Sequence, residues 1–474
     1  MLADARMRRA TLAAALVVTA CSSASDVIDG GDASPPIPVL SESVSFADIA
    51  VYQGVKAVLV SAGARIDPPA VPIIAARPAL VRTWVTLPDG WTKSLTAELH
   101  LFDVDGAPTK TLTDKKRPRV PADDSLLATS FNFQIDPAFL GPDTQFAIVV
   151  RDPAYGTRPE ASIRWPKDGT NDGFGAKTDS AELKVKIVPI QYTADGSNRV
   201  PATDAASLQH FQDFLYRMYP VSTVTITVHS PFVWDQVLAP DGTGWDNLLL
   251  TVSAIRNMEK APKDSYTVAM FNPAPTFAQF CSSGCTAGIG SLQGKMDPLA
   301  RIVLMVGYQE DFVYGTLNQE LAHDMGRLHA PCGSPQMIDP QFPNKDGSIG
   351  KWGWDILSRE LVDPITSDFL SYCQPVFVSD YTYAALYTQM AYVTSTLPLK
   401  SVSPPRPWRV AHVSPNGGLR WGRTITWGGP VQQTKRIRLD GQIIEAPYWD
   451  LPEIHRGLIF VPEELASPAS RLTW

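Results

Sequence analysis

The chain has 474 residues, 44% of them hydrophobic and 19% charged, with a formal net charge of −7. That length exceeds what one core usually fills, so two or three folded domains are expected. The mild acidity, with no basic run interleaved with aromatics, argues against nucleic acid as a partner. The 41 prolines and 32 glycines suggest many turns, as in β-rich extracellular proteins.

At the N-terminus, Arg6, Arg8 and Arg9 precede an apolar run from Ala13 to Ala20 that is too short to span a bilayer as a helix. Val18-Thr19-Ala20-Cys21 follows the pattern of a lipoprotein signal, so residues 1–21 read as a signal peptide ending in a lipidated Cys21. The competing reading is an ordinary secretory signal beside a chance cysteine. Lipidation implies export and a lipid anchor at the bacterial cell envelope, on the outer membrane or cell surface. Residues 22–44, rich in Ser, Asp, Gly and Pro, read as a flexible tether.

Residues 45–185 alternate short apolar runs with turn chemistry. Val55–Val60, Leu80–Val85, Ala97–Phe102, Ser130–Ile135 and Phe146–Val150 have strand length and period, and Pro88-Asp89-Gly90 and Val104-Asp105-Gly106 are turn signals. No long helical pattern interrupts them, which predicts an all-β, immunoglobulin-like sandwich. His100 fits a strand here and reads as a structural or surface histidine.

The pattern changes at Lys184–Ile190, a strand taken to open a second domain over residues 186–395. Thr203 or Asp204 would cap a helix carrying Leu208, Phe211, Leu215 and Met218 at helical spacing. Val224–Val228, Tyr266–Phe271 and Arg301–Gly307 read as strands, and Trp245–Arg256 reads as a helix. This alternation predicts an α/β layer with a mixed sheet. Ala287–Gly290 could form an edge strand onto which an extended peptide adds by backbone pairing. His210 and His229 read as solvent-facing or locally bonded. A Pro-rich join at Val402–Pro407 leads to residues 396–474, a small β-rich module with strands expected at Trp421–Trp427 and Leu458–Val461. His412 and His455 lie there, distant in sequence from any motif.

The stretch with readable chemistry is Gln319-Glu320-Leu321-Ala322-His323-Asp324-Met325-Gly326-Arg327-Leu328-His329. It follows the template H-E-x-x-H-x-x-G-x-x-H except that Gln319 stands at the first histidine. Thr316 is a candidate helix cap. Positions 319 and 323 share a helix face with Glu320 beside them. Gly326 suits a left-handed residue past the helix end, returning His329 to the same point. Such convergence makes an open zinc site, with Glu320 placed as general base toward a metal-activated water.

These residues resemble the metzincin metallopeptidases, whose zinc motif is followed by a methionine turn. Asp368-Phe369-Leu370-Ser371-Tyr372-Cys373 is similar to that turn, with Leu370 at the methionine position. Arg327–Gly333, Asp346–Asp355 and Val378–Tyr383 narrow the resemblance to the StcE-like bacterial metzincins, a group containing secreted or surface proteases that act on heavily O-glycosylated proteins. The resemblance implies a metzincin-like α/β catalytic domain and zinc as cofactor. It implies His323 and His329 as ligands, Gln319 as a poor third, Glu320 as base and Tyr372 as an additional phenol. An amide oxygen is a weak ligand for zinc, so Gln319 should lower affinity, whereas Leu370 nearly conserves the methionine's volume. Three functions follow: a surface-anchored zinc peptidase acting on extracellular, O-glycosylated proteins; a catalytically impaired relative that binds such glycoproteins without cutting them; or a surface lipoprotein whose helix only resembles the motif.

Four cysteines follow Cys21, and in an exported protein Cys281, Cys285, Cys332 and Cys373 allow three disulfide connectivities. The preferred pairing is Cys281–Cys285, closing a tight loop, with Cys332–Cys373, clamping the motif segment to the Leu370 turn. A four-cysteine zinc site is disfavoured by the lack of paired C-x-x-C units.

Overall fold

Two five-stranded sheets face each other across the first third of the chain. The computed structural model describes residues 39–180, 182–395, 405–428 and 433–473; the signal segment with Cys21, most of the tether and the first half of the Pro-rich join lie outside the described residues. One sheet is built on Ser45–Gln53, flanked by Val55–Ser61 and Ala79–Thr86, and the other on Leu95–Phe102, flanked by Pro108–Lys116 and Gln145–Arg151. In Leu95–Phe102 every second residue is buried, as a half-covered strand requires. The two sheets meet through contacts such as the edge-on pair Phe46 and Trp165. His100 bonds Thr111 and lies beside Glu98, far from any cavity described below.

The other face of the first sheet is covered by the second layer of the molecule. Ala50, Tyr52, Leu80 and Trp84 pack on Trp354 and Ile356, and Trp354 N donates to Gly54 O at 2.9 Å. The Arg77 guanidinium, fully buried, donates to the carbonyls of Val221 and Tyr216 at the end of the first helix of the next layer. A buried cation spent on backbone carbonyls costs much to separate. The two layers are thereby joined rather than strung together.

That next layer opens with the strand Glu182–Tyr192, which starts at Glu182 rather than Lys184. Its sheet runs Thr223–Val228, Glu182–Tyr192, Ser265–Phe271, Ile302–Val306, all parallel, and ends on the short antiparallel strand Gly288–Gly290. Two of the three inner strands, Ser265–Phe271 and Ile302–Val306, are wholly buried, as parallel strands covered on two faces are. Among the described residues, five α-helices accompany it: α1 (Ala205–Met218), α2 (Trp245–Met258), α3 (Phe277–Phe280), α4 (Asp311–Asp324) and α5 (Asp380–Thr394). Asp204 caps α1 by accepting from Ala206 N and Ser207 N, and the helix buries Phe211, Leu215 and Met218. The edge-on pair Phe211 and Tyr314 joins α1 to α4, and His210 stacks on the same tyrosine. Thr316 does not cap α4: the helix begins five residues earlier, and the Thr316 hydroxyl bonds back to Phe312 O inside it.

The C-terminal residues form a six-stranded antiparallel sheet in the order Leu419–Trp427, Arg406–Val413, Arg456–Pro462, Gln442–Leu451, Thr434–Leu439, Leu472–Thr473. One set of its side chains, including Trp408, Trp427, Trp449 and Phe460, merges with the core of the α/β layer, while Ala411, Val413, Ile437 and Ile459 form a separate small core. Two buried polar contacts fix the docking. Trp427 Nε1 donates to Asp297 Oδ2 at 2.9 Å, and His412 Nδ1 lies 2.6 Å from Asp246 Oδ2 on α2. Among the described residues, no helix is long and apolar enough to cross a membrane.

Candidate metal centre

α4 supplies Gln319, Glu320 and His323 and then stops abruptly. Gly326, at φ +81°, donates to His323 O at 2.7 Å, and Arg327 N returns to Ala322 O at 2.9 Å. This glycine turn sends the chain back across the helix end, where His329 is held between two backbone bonds: its N–H donates to Met337 O and its carbonyl accepts from Asp339 N. Arg327 is fixed in turn by Asp339 at 3.0 Å, and Tyr381 donates to the same carboxylate oxygen.

The two imidazoles are oriented by carbonyls. His323 Nδ1 lies 2.7 Å from Arg327 O, and His329 Nδ1 lies 2.6 Å from Gln336 O. A carbonyl only accepts, so both Nδ1 atoms carry the hydrogen and both Nε2 atoms carry a lone pair. Those two Nε2 atoms face each other at 3.2 Å. Two acceptors at that distance form no hydrogen bond with each other; they require a cation or proton donor between them. A proton is disfavoured, because burial, with His329 adding to it, pushes His323 down to about 3, and burial lowers His329 as well. A metal ion held by both Nε2 atoms would satisfy them, and the pair belongs to a group of side chains that could hold one.

A third donor approaches from the C-terminal sheet. Glu453 sits on the turn Pro452–Ile454 between two of its strands, and its Oε1 lies 3.8 Å from His323 Nε2. The ligand atoms of His323, His329 and Glu453 all fall within 4.8 Å of one another. Among the described residues, Glu453 Oε1 is buried with no hydrogen-bond partner, and so is Glu320 Oε2. Burial, with Asp450 adding to it, raises the Glu453 carboxyl; burial, reinforced by Glu453 and Asp324, holds Glu320 well above the usual carboxylate range. Buried carboxyls without partners are costly unless a cation is supplied.

The two carboxyls border a cavity of about 430 Å³ whose walls include Gln319, Glu320, Tyr372, Gln336, Glu453 and Gly288, while both histidines are buried behind it. Glu320 is packed against the edge strand: a Cβ on Gly288 would come within 2.7 Å of its Cγ, and one on Gly290 within 2.0 Å of its carbonyl oxygen. Glycine at both positions is what lets that strand lie directly on α4. The Tyr372 ring meets His329 edge-on at 5.1 Å, and the residue stays half exposed. Leu370 is fully buried behind it, its carbonyl accepting from Ala330 N. Disulfides join Cys281 to Cys285 and Cys332 to Cys373. The second ties the segment after His329 to the turn bearing Tyr372, whose N–H also donates to Cys332 O.

Of the residues singled out in the sequence, His323, His329, Glu320 and Tyr372 come together, and Gln319 lines the same cavity. Cys21 lies outside the described residues. Glu453 was not foreseen. Pro452-Glu453-Ile454-His455 has no ligand spacing, and only the docking of the C-terminal sheet brings it to the histidines. Gln336 was missed for a similar reason, since its part is played by a main-chain carbonyl.

No family model matches this chain, and no curated protein matches it. Among solved structures it is weakly similar to a calcium-binding mutant of beta-glucuronidase 2 from Bacteroides uniformis, at 11% identity and TM-score 0.17, covering 44% of this chain and 24% of that one. A beta-glucuronidase from Parabacteroides merdae aligns at 9% identity and TM-score 0.15, over 85% of this chain and 59% of that one. A beta-glycosidase from Bacteroides vulgatus aligns at 9% identity and TM-score 0.15, over 91% and 64%. The chain thus spans 24% of the length of the first of these. Likeness this slight carries no conclusion about fold or activity.

Proposed function

We propose that the chain is a metal-dependent peptidase of the metzincin-like kind, exported and anchored to the bacterial envelope through Cys21, acting on extracellular, O-glycosylated proteins. The observation carrying this reading is the pair of Nε2 lone pairs of His323 and His329 converging at 3.2 Å beside the buried carboxyl group of Glu320. Zinc bound there would supply Lewis acidity and lower the pKa of a coordinated water toward neutrality. Glu320, on the cavity wall one helical turn before His323, is placed to take the proton from the attacking water and pass it to the leaving amine. Tyr372, on the cavity's other wall, is placed to donate its phenol hydrogen to the carbonyl oxygen as charge develops there.

Gln319 favours a second reading, glycoprotein binding without cleavage, because an amide at the first ligand position weakens the helix's own contribution to the site. One experiment separates the two. Zinc-loaded protein is incubated with a mucin-type glycoprotein and with the Glu320→Gln variant as control. Cleavage that disappears in the variant supports the peptidase; retention of the glycoprotein by both forms, with no cleavage by either, supports the binder.

A further inference from the structure

The structure carries one assignment that the motif does not contain. We propose that Glu453, from the C-terminal sheet, is the third protein ligand of the metal centre and takes the place that Gln319 vacates on α4. The assignment rests on the metal-centre reading above and adds to it the source of the missing donor.

Geometry is the first support. Zinc holds imidazole nitrogen and carboxylate oxygen at about 2.0–2.2 Å, so tetrahedral ligand atoms stand about 3.3–3.6 Å apart. The observed separations are 3.2 Å between the imidazoles and 3.8 Å from His323 Nε2 to Glu453 Oε1. The widest of the three separations is within 4.8 Å, and a swing of about 1 Å at the end of one side chain closes it. Donor chemistry is the second support. Two histidines and one glutamate form a recurrent catalytic zinc set with a fourth position left open, whereas the carboxamide of Gln319 is neutral and a poor donor.

The third support is that Glu453 is held in place by its surroundings. Gly242 abuts Ile454 so closely that a Cβ there would lie 2.2 Å from the isoleucine side chain. The Thr286 hydroxyl donates to Glu453 O at 3.5 Å, Arg456 bonds Thr243 at 2.7 Å, and His455 Nε2 meets the Gln336 amide at 3.1 Å. Gln336 is also the residue whose carbonyl orients His329, so one short segment positions a histidine ligand and clasps the turn bearing Glu453. With its side chain 9% exposed and Oε1 unpartnered, Glu453 points a buried donor at the two lone pairs. It follows that the C-terminal sheet is part of the metal centre, and its docking through His412 with Asp246 and Trp427 with Asp297 is what delivers the ligand.

The test is zinc binding by the full chain, measured by competition with a chromogenic chelator. Wild type, Glu453→Gln, Gln319→Ala and His323→Ala are compared, with unfolding of each metal-free form recorded in parallel. We expect Glu453→Gln to weaken zinc binding at least 100-fold while its metal-free unfolding midpoint stays with wild type, and Gln319→Ala to stay within about 3-fold, since losing a group behind the ligands already costs about 10–100-fold. Glu453→Gln binding zinc as tightly as wild type, or more tightly, while His323→Ala abolishes binding, would overturn this assignment and leave the two-histidine site standing. Wild type that binds no zinc at micromolar concentration would overturn both. A Glu453→Gln protein that unfolds early is replaced by Glu453→Asp, which keeps the charge on a shorter arm; unchanged affinity there also counts against the assignment.

Discussion

His323 and His329 each give their Nδ1 hydrogen to a main-chain carbonyl and so turn bare Nε2 lone pairs toward one another across 3.2 Å. The relationship is imposed by backbone. Arg327 O belongs to the turn that Gly326 makes possible, and Gln336 O belongs to the strand-like segment bridged to His329. Neither ring can rotate to remove the conflict without losing a bond that a buried ring nitrogen needs.

If Glu320 is the base, Glu320→Gln should lower peptide hydrolysis by the zinc-loaded protein by about 10²–10⁴-fold. Zinc affinity should change little, because Glu320 lies beside the ligands and is not counted among them. Rates and zinc titration of the same preparation check this together. Hydrolysis that survives the substitution would remove Glu320 from the chemistry.

The glycines of the edge strand set the distance between that strand and α4. A methyl group at Gly290 would fall 2.0 Å from Glu320 O, a backbone atom that cannot swing aside. Gly290→Ala should therefore destabilise the fold by about 3 kcal/mol or more and weaken zinc binding by displacing His323. Denaturant unfolding and zinc titration measure the two effects; a variant as stable as wild type would show that the strand is not held against the helix as described.

Cys332 and Cys373 are 41 residues apart, whereas Cys281 and Cys285 are separated by 4. Loop-closure entropy puts about 4 kcal/mol on a closure as long as the first and less on the second. Replacing Cys332 and Cys373 together by serine should cost about 2–4 kcal/mol, and should also loosen Tyr372, which is bonded to the Cys332 carbonyl. The Cys281–Cys285 double replacement should cost less. Unfolding curves of the two double variants, compared side by side, check the order.

Asp297 gives a pH test away from the metal centre. Its carboxyl is fully buried and accepts from Leu299 N and Trp427 Nε1; burial outweighs those bonds and the nearby Arg301 and Arg256, raising it from the usual 3.8 to about 6. The folded form therefore keeps the proton between pH 4 and 6 while the unfolded chain gives it up. Its contribution to stability is fully present below about pH 4, falls as the pH rises to about 6, and is then constant, a total of about 3 kcal/mol. Against Asp297→Asn, which does not titrate, wild type should lose ground across that interval. A difference that does not vary with pH would contradict the account.

The local pattern was readable where one element carries its own signal. Thr203 or Asp204 ahead of Leu208, Phe211, Leu215 and Met218 marked α1, which Asp204 caps and which buries the last three, and Ala97–Phe102 alternated as a strand that is buried at every second position. The helix-borne part of the site was readable for the same reason: 319, 320 and 323 are fixed by helical geometry, and Gly326 by its left-handed backbone. The start of α4 was misplaced because Glu310 caps it without a side-chain bond, leaving no signal in the sequence. Glu453 was invisible because its role depends on the burial of Trp408, Trp427 and Trp449 against another layer, and no spacing rule reaches across such a docking. The exposed strand Pro108–Lys116, nearly all polar, was missed because no apolar alternation marks it.

The central claim is that His323 and His329 hold one divalent ion between them, and zinc titration of wild type beside His329→Ala tests it most directly. The account expects one zinc per wild-type chain and a loss of at least about 100-fold in affinity when the His329 nitrogen is removed. Wild type that takes up no zinc at micromolar concentration, or His329→Ala that binds zinc as wild type does, would contradict it.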